Sequence, residues 1–296
     1  MSPSGILQLF FSGISVGSIY AMVAVGFNII YNSTGIINFA QGEFVMLGGM
    51  TMISLVMGLG LPMPLAFPLA VAAVTLVGVL FERLCIHPLK QAKVLTLIII
   101  TVAGSIVLKG LAMFTWGKAT LYLPHFSGEK PIGVLGASLL PQTLWILGII
   151  AATVVLLLVF FRMTLVGKAM RACAANQTAA SLVGINVKGI VMLSFALSAA
   201  IGAVAGIVVA PIALMDYNRG AMLGLKGFSS AVLGGLGNPM GALIAGLLIG
   251  VLESLGAGLV SSHYKDAIGL MVLLGVLFIR PSGLLGSVEA LKLKEF

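Results

Sequence analysis

Charge is what this sequence has least of. Only 8% of its 296 residues are Asp, Glu, Lys or Arg, against 60% that are hydrophobic, and a domain surrounded by water could not cover its surface with so little charge. Acidic residues are the scarcer kind, eight against sixteen Lys and Arg, for a net charge of +8. Cysteine and histidine are nearly missing, at two and three copies. Cys85 and Cys173 lack the paired spacing of a metal or redox site, and His87, His125 and His263 are far apart, so neither a metal nor another cofactor is expected. Both cysteines fall in or beside basic loops, which puts them on the reducing side of a membrane and argues against a disulfide. Catalytic inventory is equally thin. The Gly-Lys pairs at 117 and 167 are each followed by alanine, so no phosphate-cradling GxxxxGK[ST] loop exists, and no H-E-x-x-H occurs. The chain is not expected to be an enzyme, and any ATP must be hydrolysed by another chain. The cations lie in short loops with no basic stripe or aromatic RNA-binding motif, which excludes nucleic acid as a partner.

Long apolar runs are what the sequence does have. They cover residues 6–30, 36–57, 65–81, 94–114, 144–161, 190–210, 242–260 and 267–279, with a shorter one at 222–236 that runs into Gly234, Gly235, Gly237 and Pro239. About 20 apolar residues are needed per crossing. The expected fold is all-α, a polytopic transmembrane helical bundle of about eight spans plus a short or re-entrant helix, forming a single domain over residues 1–296. Residues 1–7 carry no basic region and no A-x-A-like cleavage site, so they read as the start of a first span rather than a cleaved signal. Glycines spaced by three residues, as in Gly13 with Gly17 and Gly202 with Gly206, suit close helix packing in lipid. The polar breaks near residues 31–43 and 220–241 sit where an inverted repeat would place matching elements, but residue similarity between the halves is too weak to assert one.

The second run is unusual in holding Asn38, Gln41 and Glu43 beside Gly42, Gly48 and Gly49. Lipid penalises such polarity, so this segment should face protein or an aqueous cavity. Glu43, with Asn38 and Gln41 as neighbours, reads either as part of a solute pathway or as a hydrogen-bonded lock between helices.

Cations mark the sidedness. Arg83, Lys90 and Lys93, set against Glu82, form one basic loop. Arg162, Lys168, Arg171 and Lys188 form a second with no acidic residue, and Arg280, Lys292 and Lys294 close the chain. Ten of the sixteen cations then fall on one side, assigned as cytoplasmic together with the C-terminus. Trp116 and Tyr122 flank an irregular loop with Pro124, Gly128, Pro131 and Gly133, placed at the opposite interface, and Lys109 snorkels towards it.

Residues 162–188 are the basic island around which the chain is organised. Asn176 suits the cap of a short helix that Gly184 would end in the left-handed conformation, and Ala179, Leu182 and Val183 would share an apolar face. Such a helix either fills a groove in a protein partner or anchors to anionic membrane lipid through Lys168 and Arg171.

Ala179-Ala180, three residues and Gly184 resemble the "EAA" loop of ABC importer permeases, the segment that docks into the ATPase subunit. NQTAASLVGIN at 176–186 is similar to that loop in the branched-chain amino acid permeases, with Gln177 where that family has proline and Thr178 where it has glutamate. Residues 12–44, with Gln41 where a histidine is common, FERLCIHPLK at 81–90, 224–242, VLESL at 251–255 and IRPSGLLG at 279–286 follow the same family's pattern in order. The resemblance implies an ABC importer permease fold in the cytoplasmic (inner) membrane. It also implies ATPase coupling through Asn176, Thr178, Ala179, Ala180, Leu182, Val183 and Gly184, and transport of branched-chain amino acids by alternating access. The implied partners are two ATP-binding subunits, a homologous second permease and a periplasmic or extracellular solute-binding protein. The alternatives are a secondary transporter or channel without an ATPase, using Glu43 as a proton or ion site, and an ABC permease for another small solute such as a sugar or nucleoside.

Overall fold

Backbone N–H and C=O groups in hydrocarbon must be satisfied within the segment that carries them, and this chain answers with helices. The computed structural model describes residues 3–89, 93–134, 137–259 and 261–286; Lys90, Lys292 and Lys294 of the basic segments lie outside them. In chain order the helices are α1 (Pro3–Thr34), α2 (Gln41–Ile53), α3 (Met63–Phe81), α4 (Val94–Trp116), α5 (Pro141–Met163), α6 (Leu165–Ala175), α7 (Gln177–Leu182), α8 (Val187–Val209), α9 (Arg219–Gly234), α10 (Pro239–Leu259) and α11 (Lys265–Ile279). Each expected apolar run holds one of them. Six, namely α1, α3, α4, α5, α8 and α10, are long and apolar enough to cross a membrane. At 1.5 Å per residue the 13 residues of α2 reach only about 20 Å, short of a hydrocarbon core of about 30 Å. Between α4 and α5 the irregular loop holds a two-stranded antiparallel hairpin, β1 (Ile132–Val134) with β2 (Ala137–Leu139).

The chain packs as two compact units, one comprising Met1–Asn28, Pro124–Ile150 and Leu225–Phe296, the other Ile29–Leu123 and Ala151–Gly224. In the first, the expected small-residue seam forms between α1 and α10: a Cβ at Gly13 would lie 2.7 Å from Val251 Cα, and one at Gly17 2.9 Å from Leu247 Cα. Ser15 stands between these glycines in a G-x-S-x-G spacing, but its hydroxyl donates to the Phe11 carbonyl at 2.9 Å inside a continuous helix. It is not the exposed nucleophile of a strand-to-helix elbow. The break between α9 and α10 is tied at three points. The Gly237 N–H donates to Asn28 Oδ1, Asn238 Oδ1 accepts from the Met240 and Gly241 N–H groups, and the Leu284 N–H donates to the Leu233 carbonyl at 2.7 Å. The IRPSGLLG segment therefore packs against that break.

In the second unit α2 is the buried centre, every residue of it inaccessible except Thr51. Close approach to α8 depends on glycine: a Cβ at Gly206 would run into the Val45 carbonyl and stand 3.0 Å from Gly49 N. Phe44, Phe81 and Phe195 join α2, α3 and α8, with ring centroids 6.1 Å apart in each successive pair.

Two local expectations are corrected. The polar stretch 31–34 does not break the first span; α1 runs through it, because Ser33 Oγ and Thr34 Oγ1 donate back to Ile29 and Ile30 carbonyls and keep the helix satisfied. The chain turns only at residues 35–40. Glu82 is not a surface counter-ion of the basic loop: it is buried in a π-turn extending α3, with His87 Nδ1 3.5 Å from its Oε1.

Candidate functional site

The basic island folds as two helices, where the sequence signals only one. Thr164 Oγ1 caps α6 by accepting from the Gly167 N–H at 2.9 Å, and Gly167, Met170 and Cys173 turn inward at three-residue spacing. Burial pushes the Cys173 thiol above its ordinary value, which suits a packing residue rather than a nucleophile. Lys168 and Arg171 remain exposed. Asn176 then caps α7, its Oδ1 accepting from the Ala179 N–H at 2.9 Å. Gly184 ends α7 at φ +86, a conformation that a Cβ would strain. The Gly184 N–H donates to the Ser181 carbonyl, and the Ile185 N–H reaches Ala180. Asn186 starts α8 by accepting from the Gly189 N–H.

These caps fix which side chains α7 offers. Leu182 and Val183 are 83% and 77% exposed, Thr178 and Ala179 are exposed beside them, and Ala180 is buried. Sequence spacing missed one contact: Gln177 Nε2 donates to the Ser33 carbonyl in the last turn of α1, at 2.6 Å.

Inside the second unit, Asn38, Gln41 and Glu43 are all buried, but their side chains bond elsewhere, and the one link between them is the Gln41 N–H donating to the Asn38 carbonyl at 3.1 Å. Asn38 Oδ1 accepts from the Ala40 N–H and shapes the entry to α2. Gln41 makes a two-way contact with Ser198 of α8, donating to its carbonyl at 3.1 Å and accepting from its hydroxyl. Glu43 Oε1 accepts from Ser105 Oγ of α4 at 2.9 Å. Its Oε2 packs towards Gly220 at the start of α9, where a Cβ would come within 2.5 Å of it. Asn38 Nδ2 and Glu43 Oε2 have no hydrogen-bond partner among the described residues.

The partners follow a pattern that sequence could have shown. Thr101, Ser105 and Lys109 stand four apart on one face of the mostly apolar α4. Thr101 Oγ1 accepts from the Phe39 N–H, Ser105 donates to Glu43, and Lys109 Nζ donates to Asn218 Oδ1. Lys109, expected only to snorkel, thus has a protein partner. Asp216 and Arg219 form an ion pair at 3.9 Å.

Glu43→Gln is expected to leave the unfolding midpoint close to that of wild type, because an amide oxygen still accepts from Ser105. Glu43→Ala is expected to cost about 1–2 kcal/mol by stranding the Ser105 hydroxyl. Unfolding curves check both; a Gln variant as destabilised as the Ala variant would require the charge.

A second buried charge lies in the first unit. Glu253 of α10 is fully buried; Lys226 Nζ of α9 bonds its Oε1, and Tyr20 of α1 donates to its Oε2 at 3.0 Å. Nothing in the spacing of residues 20, 226 and 253 announces this cluster.

Comparison with known proteins follows this geometry. The family described as "Branched-chain amino acid transport system / permease component" matches residues 9–278. The chain is 34% identical to the high-affinity branched-chain amino acid transport system permease protein LivH of Escherichia coli K12, over 97% of each chain. It is also 34% identical to the corresponding permease protein BraD of Pseudomonas aeruginosa, again over 97% of each. Among solved structures, PsaBC from Streptococcus pneumoniae in complex with Fab superposes with a TM-score of 0.51 at 15% identity, covering 97% of this chain and 94% of that one. That likeness concerns the fold alone.

Proposed function

The chain belongs to the family of branched-chain amino acid transport system permease components, and we propose that it is the transmembrane permease subunit of an ATP-driven ABC importer. It moves branched-chain amino acids across the cytoplasmic (inner) membrane by alternating access. The observation that carries the reading is the family match over residues 9–278 with 34% identity to LivH along nearly the whole chain. Hydrolysis takes place in two separate ATP-binding subunits, a solute-binding protein supplies most of the selectivity, and a homologous second permease completes the membrane part. The basic segments and the C-terminus face the cytoplasm.

In this reading Asn176 and Gly184 hold α7 in shape, Ala180 seats it, and Thr178, Ala179, Leu182 and Val183 meet the ATPase. Closure of the ATPase pair on nucleotide pushes α7 and biases the helices between two arrangements. Gln41 and Glu43 lock α2 against α8 and α4, and Asn38 shapes the turn into α2, so that α2 moves with its neighbours rather than through them. The test is reconstitution of the permease pair, ATPases and binding protein in liposomes. ATP-dependent uptake of leucine, isoleucine and valine is expected. Uptake by this chain alone under an ion gradient would replace the reading with a secondary transporter, and ATP-dependent uptake of a sugar or nucleoside in preference to leucine would reassign the substrate.

A further inference from the structure

We propose that Gln177 is a positioning residue that carries movement of α7 into α1, an inference that rests on the importer reading above. The last four carbonyls of any helix lack an intrahelical donor, and the Ser33 carbonyl is one of those at the end of α1. Its neighbours do not serve it. The Ser33 and Thr34 hydroxyls turn back to Ile29 and Ile30 carbonyls, and the Gly35 N–H closes on Tyr31. The donor comes instead from Gln177, 144 residues away in sequence, at 2.6 Å.

Gln177 is also well placed to act as a link. It is the first residue of α7, where a backbone N–H is free of helix bonding in any case, and its side chain holds the Ser33 carbonyl while Leu182 and Val183 stay exposed. Ser33 itself is buried, and only residues 35–40 separate the end of α1 from α2, which carries Gln41 and Glu43. A push received on one side of α7 therefore leaves on the other through a directional hydrogen bond to the chain entering α2. Proline at this position would have no such donor.

The experiment uses the complete reconstituted complex and reads solute transported per ATP hydrolysed, alongside ATPase co-purification. Gln177→Glu keeps the size of the side chain but removes the donor and sets an anion against a helix C-terminus. It is expected to lower the transport-to-hydrolysis ratio roughly fivefold, the scale of one hydrogen bond, with assembly intact. Gln177→Lys supplies a donor and a cation that the C-terminus favours, and is expected to restore the ratio. Equal ratios in wild type and both variants would overturn the proposal, as would equal loss in both. Loss of ATPase co-purification in the Glu variant would also overturn it, by making Gln177 a docking contact. Failure of the importer reading would show separately, as absence of ATP-dependent uptake by the wild-type complex.

Discussion

Leu182→Glu is expected to lower ATP-dependent transport roughly thirtyfold while the chain still folds and inserts. Its side chain is 83% exposed, so it contributes almost nothing to internal packing, and a carboxylate there costs the isolated chain little. An exposed Leu alone is ordinary. Beside an equally exposed Val183, on a helix capped at both ends and set among cations, it forms an apolar spot that gains stability only when another surface covers it. Buried apolar anchors at interfaces are worth about 2 kcal/mol or more, and each 1.4 kcal/mol is about a factor of ten. The measurements are uptake by the reconstituted complex, co-purification of the ATPase and the unfolding midpoint of the chain. Deleting residues 177–184 should give the same phenotype in stronger form. A Leu182→Glu complex that assembles and transports like wild type would remove α7 from the coupling path.

Glu253→Ala is expected to destabilise the chain by about 3–5 kcal/mol, the cost of leaving one member of a buried ion pair without its partner. Lys226 and Glu253 are almost wholly inaccessible, and Tyr20 adds a hydrogen bond at 3.0 Å. Removing the carboxylate takes the ion pair from Lys226 on α9 and a hydrogen bond from Tyr20 on α1. The double variant Lys226→Met, Glu253→Leu is expected to recover most of the loss, because apolar side chains of similar volume need no solvation. Thermal unfolding of the purified chain in detergent orders the three proteins: wild type and double variant close together, the single variant well below. A single variant as stable as wild type would show that the pair is not held in this arrangement.

Both predictions turn on residues of very different legibility. Helix α7 was nearly all readable. Its cap by Asn176, its end at Gly184 and its apolar face are properties of consecutive residues, set by backbone geometry that does not depend on the rest of the fold. Even so, Ala180 turns inward while Ala179 stays exposed, a difference settled by the neighbour that α7 rests on. The buried acids were readable only as anomalies. Glu43 in an apolar run announces that something must satisfy it, but the answer, Ser105 of α4, lies 62 residues on.

Sequence by itself determined that this is a helical membrane protein, where its apolar runs become helices, and where its basic island lies. Those follow from hydropathy and from local caps, which act within a few residues. Tertiary structure decided that α2 is a short buried centre rather than a full span, and that Lys226 meets Glu253. It also decided that Gln177 closes the end of α1. The reason is the same in each case. A polar group in a dry interior takes whichever partner packing brings within hydrogen-bond reach, and packing between helices distant in sequence leaves no mark in the order of residues.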